Sequence, residues 1–172
     1  VPADDPADPG ILWFDLFEPT HDEETGLERR LALDLPTRDE MQEIELSSRL
    51  YSEGGAHFMT AMVLSHTDGD DVGVAPITFI LAQHRLITIR YTAPRTFDVY
   101  PQRAGKAALG ACDGETVLLG LLETIVDRAA DILERAGRDI DLLSRRVFGH
   151  RGSESRKAGN YKATLEEIGR KG

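Results

Sequence analysis

Three acids crowd the segment that follows Pro36. In Thr37-Arg38-Asp39-Glu40-Met41-Gln42-Glu43, a helix started at Thr37 sets Asp39 and Glu43 four residues apart and Glu40 and Glu43 three apart, on neighbouring positions of one face. Like charges so placed repel by about 0.2–0.5 kcal/mol per pair. A hard divalent cation that prefers oxygen ligands would relieve that repulsion. A solvated acidic face has the same pattern, because acids are favoured near a helix start without any ligand. On the residues alone both readings stand. A second acidic run, Asp68-Gly69-Asp70-Asp71, invites comparison with a calcium loop, but Val72 occupies a position where an EF-hand needs an oxygen and no closing Glu follows. It reads as an acidic hairpin tip. The five histidines (His21, His57, His66, His84 and His150) are scattered without ligand spacing, and the single Cys112 has no second thiol with which to form a disulfide or a zinc pair. None of these is assigned to a metal.

Nucleophile and phosphate chemistry leave no signature. No GxxxxGK[ST] or GxGxxG loop occurs, and neither HExxH nor GxSxG is present, so no enzyme is expected and no organic cofactor is implied. The formal net charge of −10 argues against a nucleic-acid partner, which needs clustered Lys and Arg to displace counterions. That charge is uneven: fourteen Asp or Glu between Val1 and Glu45 face only Arg29, Arg30 and Arg38, whereas from Arg151 onward six basic residues outnumber three acids. Solubility alone accounts for such an excess, as does a strongly acidic face with a cationic partner. A hydrophobic fraction of 41% with 29% charged residues belongs to a globular chain with one sizeable core. No run approaches the roughly 20 apolar residues that span a bilayer, and the opening VPADDPADPG has neither the basic nor the apolar part of a signal peptide. A cytoplasmic setting fits best.

The elements that must position the acids follow from turn chemistry and periodicity. Residues 1–10, rich in Pro and Asp, read as an extended or disordered arm, and ILWFDLF as a buried strand. Thr20 and Glu23 form a capping box for an amphipathic helix through Leu27 and Leu31; Thr37 and Glu40 form a second for the helix that carries Met41 and Ile44. RLYSE and AHFMTAMVL flank Gly54-Gly55 as a tight hairpin. VAPITFIL and RLITIRY, rich in β-branched residues and joined around Gln83 and His84, form the centre of the sheet. From Thr96 the chain reads as helical at both ends with an interruption near Pro101. The strongest periodicity runs from Asp113, as N-cap, to Val147, a helix of roughly 50 Å whose far half should extend beyond the sheet.

Taken in order, ILWFDLFEPT, LPTRDEMQEIELSSRLYSEGGAHFMTAMV, PITFILAQHRLITIRYTAPRTFDVY and ETVLLGLLETIVDRAADILERAGRDIDLLSRRVF resemble the cytoplasmic part of the CorA magnesium and cobalt transporter family. The likeness covers most of positions 11 to 148 and rests on a succession of segments. It implies an α/β fold: an α/β/α sandwich with a mixed central sheet over 11–112, then a long antiparallel helical appendage over 113–172. It further implies a homopentamer in the full-length protein at the cytoplasmic face of a bacterial inner membrane. The membrane helices and their Gly-Met-Asn motif would lie past Gly172. In that family Mg2+, or Co2+ in its place, binds between neighbouring protomers and holds the channel closed. Matching the pattern of an acid followed by Ile puts one ligand on Glu43, with Asp39 a weaker neighbour. Glu stands here where Asp is the familiar residue, and the partner acid would come from a stalk helix that this chain does not contain. A zinc transporter of the ZntB type shares the fold, and a stand-alone α/β ligand-binding domain or enzyme is the reading from another class.

Overall fold

A computed structural model describes residues 11–43, 45–65, 73–104 and 113–148. The chain divides into two compact units, Val1–Val126 and Asp127–Gly172. In the first unit five strands form one sheet: β1 (Trp13–Phe17), β2 (Leu50–Glu53), β3 (Ala56–Ser65), β4 (Gly73–Ala82) and β5 (Arg85–Arg90), in spatial order β1-β5-β4-β3-β2. β1 runs parallel to β5, with Leu16 opposite Ile89, and the other pairs are antiparallel. The sheet is therefore mixed.

Each hairpin has its local cause. Gly54 and Gly55 sit at φ 58° and 81°, the left-handed backbone that a two-residue β2–β3 turn demands and that glycine adopts without steric cost. Gln83 takes φ 57° in the equally short β4–β5 turn. All six residues of β5 are buried, so it carries no polar-out alternation; both faces of this strand are covered. β4 lies at the middle of the order with β5 beside it, as the β-branched runs predict.

Alternate residues of the strands feed two cores. On one face Phe58, Ile80, Ile87 and Ile89 pack with Leu27 of α1 (His21–Leu31), with Leu33 beyond its end, and with Met41. On the other, Val63, Ile77, Phe79 and Leu86 pack with Phe97 and Tyr100 of α3 (Thr96–Ala104) and with Val117, Leu118 and Leu121 of α4 (Gly114–Phe148). Helices on both faces of a mixed sheet make the α/β/α sandwich. α1 begins at the expected capping box: Glu23 N–H donates to Thr20 Oγ1 at 3.4 Å and Thr20 N–H donates to Glu23 Oε2 at 2.8 Å. α4 begins where Asp113 Oδ1 accepts from the Thr116 N–H at 2.8 Å, and continues for 35 residues.

Three expectations need correction. The segment after Pro36 is not a continuous helix: a single 3-10 turn, Glu40–Gln42, is followed by a separate short α2 (Leu46–Arg49). α3 is not interrupted at Pro101; the ring removes one helical donor, and the burial of Phe97 and Tyr100 on either side outweighs that loss. β1 is not a buried strand but an edge strand, half-buried, with Asp15 and Phe17 part-exposed beside Arg90. The expected arm at 1–10, the acidic run 68–71, Ile44, Cys112, the second half of the stretch after Pro101 and the helix proposed to start near Tyr161 all lie outside the described residues.

Candidate functional site

The backbone from Leu33 to Arg49 carries both candidate acids, and its path is set by four anchors. Leu33 is buried against the sheet, and the Leu35 N–H donates to Glu28 Oε1 of α1 at 3.0 Å. Thr37 and Glu40 close the second capping box. The Thr37 N–H and hydroxyl both donate to Glu40 Oε2 at 2.8 Å, and the Glu40 N–H donates back to Thr37 Oγ1 at 3.3 Å. The backbone and side-chain donors of Thr37 hold the Glu40 carboxyl below its ordinary pKa of 4.5. Met41, 1% exposed, drives the 3-10 turn onto the sheet at β4.

Arg38 lies over the Tyr91 ring, 4.8 Å from its centroid, and Tyr91 donates its hydroxyl to Glu24 Oε1 at 3.3 Å. Burial first, then the negative Glu24, push the Tyr91 phenol above its ordinary value, against the opposing pull of Arg38. This stack fixes the start of the turn to the end of β5.

Within that frame the acids divide. Glu40 is engaged in its cap through Oε2. Asp39 is exposed, has helical backbone angles (φ −72°, ψ −41°) and makes no side-chain capping bond; its carbonyl accepts from the Gln42 N–H at 3.0 Å. Glu43 is also exposed, but its ψ of 141° takes the backbone out of the helix. Through a 3-10 turn of three residues per turn, the four-residue spacing of Asp39 and Glu43 spans about 120° around the axis instead of the roughly 40° of an α-helix, so the two acids do not share one face. At the end of the turn Arg49 Nε donates to the Glu43 carbonyl at 2.8 Å, so a side chain of α2 occupies the acceptor that a helical backbone donor would use. Ser48 Oγ, from the same helix, donates to Glu43 Oε2 at 3.2 Å. Nothing in the sequence periodicity singles out Ser48 or Arg49; only the fold brings them back to Glu43.

Carboxylates of this kind suit a hard cation such as Mg2+, which keeps several waters and takes one or two carboxylates instead of a full protein cage. Among the described residues no group of three or more His, Cys, Asp or Glu converges into a metal cage. The histidines are dispersed: His21 opens α1, His57 Nδ1 lies 2.8 Å from Ser52 Oγ across the β2–β3 hairpin, and His84 is in the β4–β5 turn. His66 and His150 lie outside the described residues.

A second polar cluster lies across β1 and β5. Arg90 Nη2 and Nε donate to Asp15 at 2.8 and 3.0 Å, Arg90 Nη1 donates to the Thr92 carbonyl at 2.9 Å, and the guanidinium stacks on Phe17 and Phe97 at 4.3 and 4.8 Å from their centroids. Thr88 Oγ1 donates to Asp15 Oδ1 at 2.8 Å and accepts from Trp13 Nε1 at 2.9 Å. Every partner is internal, so this cluster locks the parallel edge strand to the sheet.

A family profile described as the CorA-like Mg2+ transporter protein matches residues 8–168. The chain belongs to that family. The magnesium transport protein CorA of Salmonella typhimurium is 33% identical over 160 residues, and that of Escherichia coli K12 is 31% identical over 159 residues. Each alignment covers 92% of this chain and 50% of the relative, so the chain spans about half the length of these CorA proteins. The soluble domain of CorA from Methanocaldococcus jannaschii shares the fold, with a TM-score of 0.68 at 14% identity over 92% of this chain and 60% of that one. The complete CorA magnesium transporter of the same organism superposes with a TM-score of 0.67 at 13% identity, covering 92% of this chain and 47% of that one. The CorA likeness agrees with the mixed sheet and the long α4. Among the described residues no helix is long and apolar enough to cross a membrane.

Proposed function

We propose that this chain is the cytoplasmic, divalent-cation-sensing region of a CorA-type magnesium and cobalt channel. In this reading residues 113–172 are the helical lead into a stalk and membrane segments, and the full-length protein is a homopentamer in the bacterial inner membrane. Glu43 supplies one carboxylate wall of a Mg2+ site between neighbouring protomers, with Asp39 as a weaker outer contributor. Cation occupancy of that site holds the ring closed, and depletion loosens it.

Family membership supports the channel reading, and the observation that carries the sensing role is the placement of Glu43. Its carboxylate is exposed, yet its main chain is tied to Glu40 on one side and to Arg49 on the other. An exposed acid on a fixed backbone loses little freedom on taking up a ligand, whereas an acid on a loose loop would lose more.

Currents from the full-length channel test the reading. Glu43→Ala is expected to raise the intracellular Mg2+ concentration at which the channel shuts, and Asp39→Ala to raise it less. Currents from Glu43→Ala that shut at the wild-type concentration would remove Glu43 from the mechanism.

A further inference from the structure

Two residues with no assigned role hold the proposed ligand. Ser48 and Arg49 both belong to the single turn of α2, and both bond to the same residue, five and six positions back. Their bonds differ in kind. Arg49 Nε holds the Glu43 carbonyl at 2.8 Å and so fixes where the main chain leaves the 3-10 turn. Ser48 Oγ holds one carboxylate oxygen, Oε2, at 3.2 Å and so fixes the rotation of the side chain. The Glu43 N–H is bonded as well, to the Glu40 carbonyl at 3.2 Å. Both main-chain polar groups and one of the two carboxylate oxygens thus have partners within the segment. No hydrogen bond among the described residues engages the other oxygen, Oε1.

We propose that Ser48 and Arg49 are the positioning residues of the cation-sensing carboxylate, presenting Glu43 Oε1 outward while Oε2 stays on the Ser48 hydroxyl. This rests on the sensing role of Glu43 proposed above. A monodentate carboxylate suits Mg2+, which has near-octahedral geometry and reluctant dehydration; a carboxylate free to turn both oxygens to the ion suits the larger Ca2+. The Ser48 bond therefore bears on which cation is taken as well as on affinity. Arg49 acts one step further back. Its Nε–H, set back along the side chain from the place of a Lys ammonium, donates to the Glu43 carbonyl in a geometry that Lys does not reproduce.

The test is cation-dependent protection of the full-length protein from trypsin, titrated with Mg2+ and separately with Ca2+, with the melting temperature in cation-free buffer as the control for folding. Arg49→Lys keeps the trypsin site. Loss of one hydrogen bond corresponds to a few-fold change in an equilibrium constant. Ser48→Ala is expected to raise the half-protective Mg2+ concentration by about three-fold with less effect on Ca2+, narrowing the preference for Mg2+. Ser48→Thr, which keeps the hydroxyl, restores the wild-type values. Arg49→Lys raises both cation concentrations by about three- to ten-fold. If Glu43→Ala shifts the Mg2+ midpoint but Ser48→Ala and Arg49→Lys do not, the positioning role fails and the sensing role stands. Equal shifts in Ser48→Ala and Ser48→Thr also overturn it, because the hydroxyl is then irrelevant. If Glu43→Ala leaves the midpoint unchanged, the sensing role itself fails.

Discussion

Asp15→Ala is the substitution whose cost follows most directly from the structure. It leaves the Arg90 guanidinium, 10% exposed at its side chain, without its carboxylate partner. Stripping one member from a fully buried ion pair costs about 3–5 kcal/mol, because the remaining charge stays desolvated. Two features lower that figure here. Asp15 is 27% exposed, so water enters where its carboxylate was, and Arg90 keeps the Thr92 carbonyl and the faces of Phe17 and Phe97. We expect a loss of about 2–3 kcal/mol, which for a chain of this size lowers the melting temperature by about 6–9 °C. Asp15→Ala combined with Arg90→Met should recover most of it, since removing both charges also removes the desolvation penalty and a thioether suits the slot between two rings. Urea unfolding followed by Trp13, the only tryptophan, reads the result: its Nε1 donates to Thr88, which in turn donates to Asp15. A shift of the midpoint at unchanged slope is the expected form. A loss below about 1 kcal/mol, or a double variant no more stable than the single one, would refute the view that an unpaired Arg90 sets the cost.

Two further outcomes rest on equally local causes. Hydrogen bonds from Thr20, Thr37 and Thr116 hold the carboxyls of Glu23, Glu40 and Asp113 below their ordinary values, so the stability they lend is complete above the unfolded values of 4.5 and 3.8 and is lost as pH falls through the lower folded ones. Melting temperature should therefore drop on acidification below about pH 4.5, and Glu40→Gln, which keeps an acceptor for Thr37 without a titrating group, should flatten that drop; an unchanged slope by calorimetry would count against the cap. Gly120→Ala should destabilise the fold by about 1–3 kcal/mol in urea although Ala is the better helix former, because a Cβ there would overlap the Tyr100 ring. A neutral or stabilising result would mean that α3 and α4 pack less closely than described.

Most of the fold was legible because its signals are short-range. The capping boxes at Thr20 and Thr37, the Gly54-Gly55 turn and the Asp113 cap each depend on residues at most three apart, and all four appear as read. Periodicity located α4 because an apolar face repeated over 35 residues has no strand alternative. Long-range bonds were invisible. Asp15 and Arg90 are 75 residues apart, and neither stands out by type or spacing. β1 read as buried because WFDLF is mostly apolar, yet an edge position leaves part of it open; position in a sheet is a property of topology and not of composition. At Pro101 a local rule predicted a break, and packing of Phe97 and Tyr100 overrode it.

The failure of the helix after Pro36 changes the basis of the cation argument. On a continuous helix, Asp39 and Glu43 would form a repelling pair at i,i+4, and relief of that repulsion would favour a bound cation. The 3-10 turn weakens this term by setting Asp39 and Glu43 apart around its axis, and Glu40 has one carboxylate oxygen, Oε2, held by Thr37. Glu43 is then the carboxylate whose main chain is bonded on both sides and whose Oε2 is held by Ser48, with Asp39 an exposed neighbour. Such an arrangement gains less from electrostatic relief and more from preorganisation. On the proposed function, a sensor built this way would have low affinity on one copy and acquire useful affinity only when a second chain brings its own oxygen donors to the same ion. Cation binding and association of copies are then linked: a ligand that binds only the assembled state stabilises that state in proportion to its concentration over its dissociation constant. Isolated chains should accordingly bind Mg2+ no tighter than the millimolar range, and a micromolar affinity measured by calorimetry on a monomer would show that one chain completes the site alone.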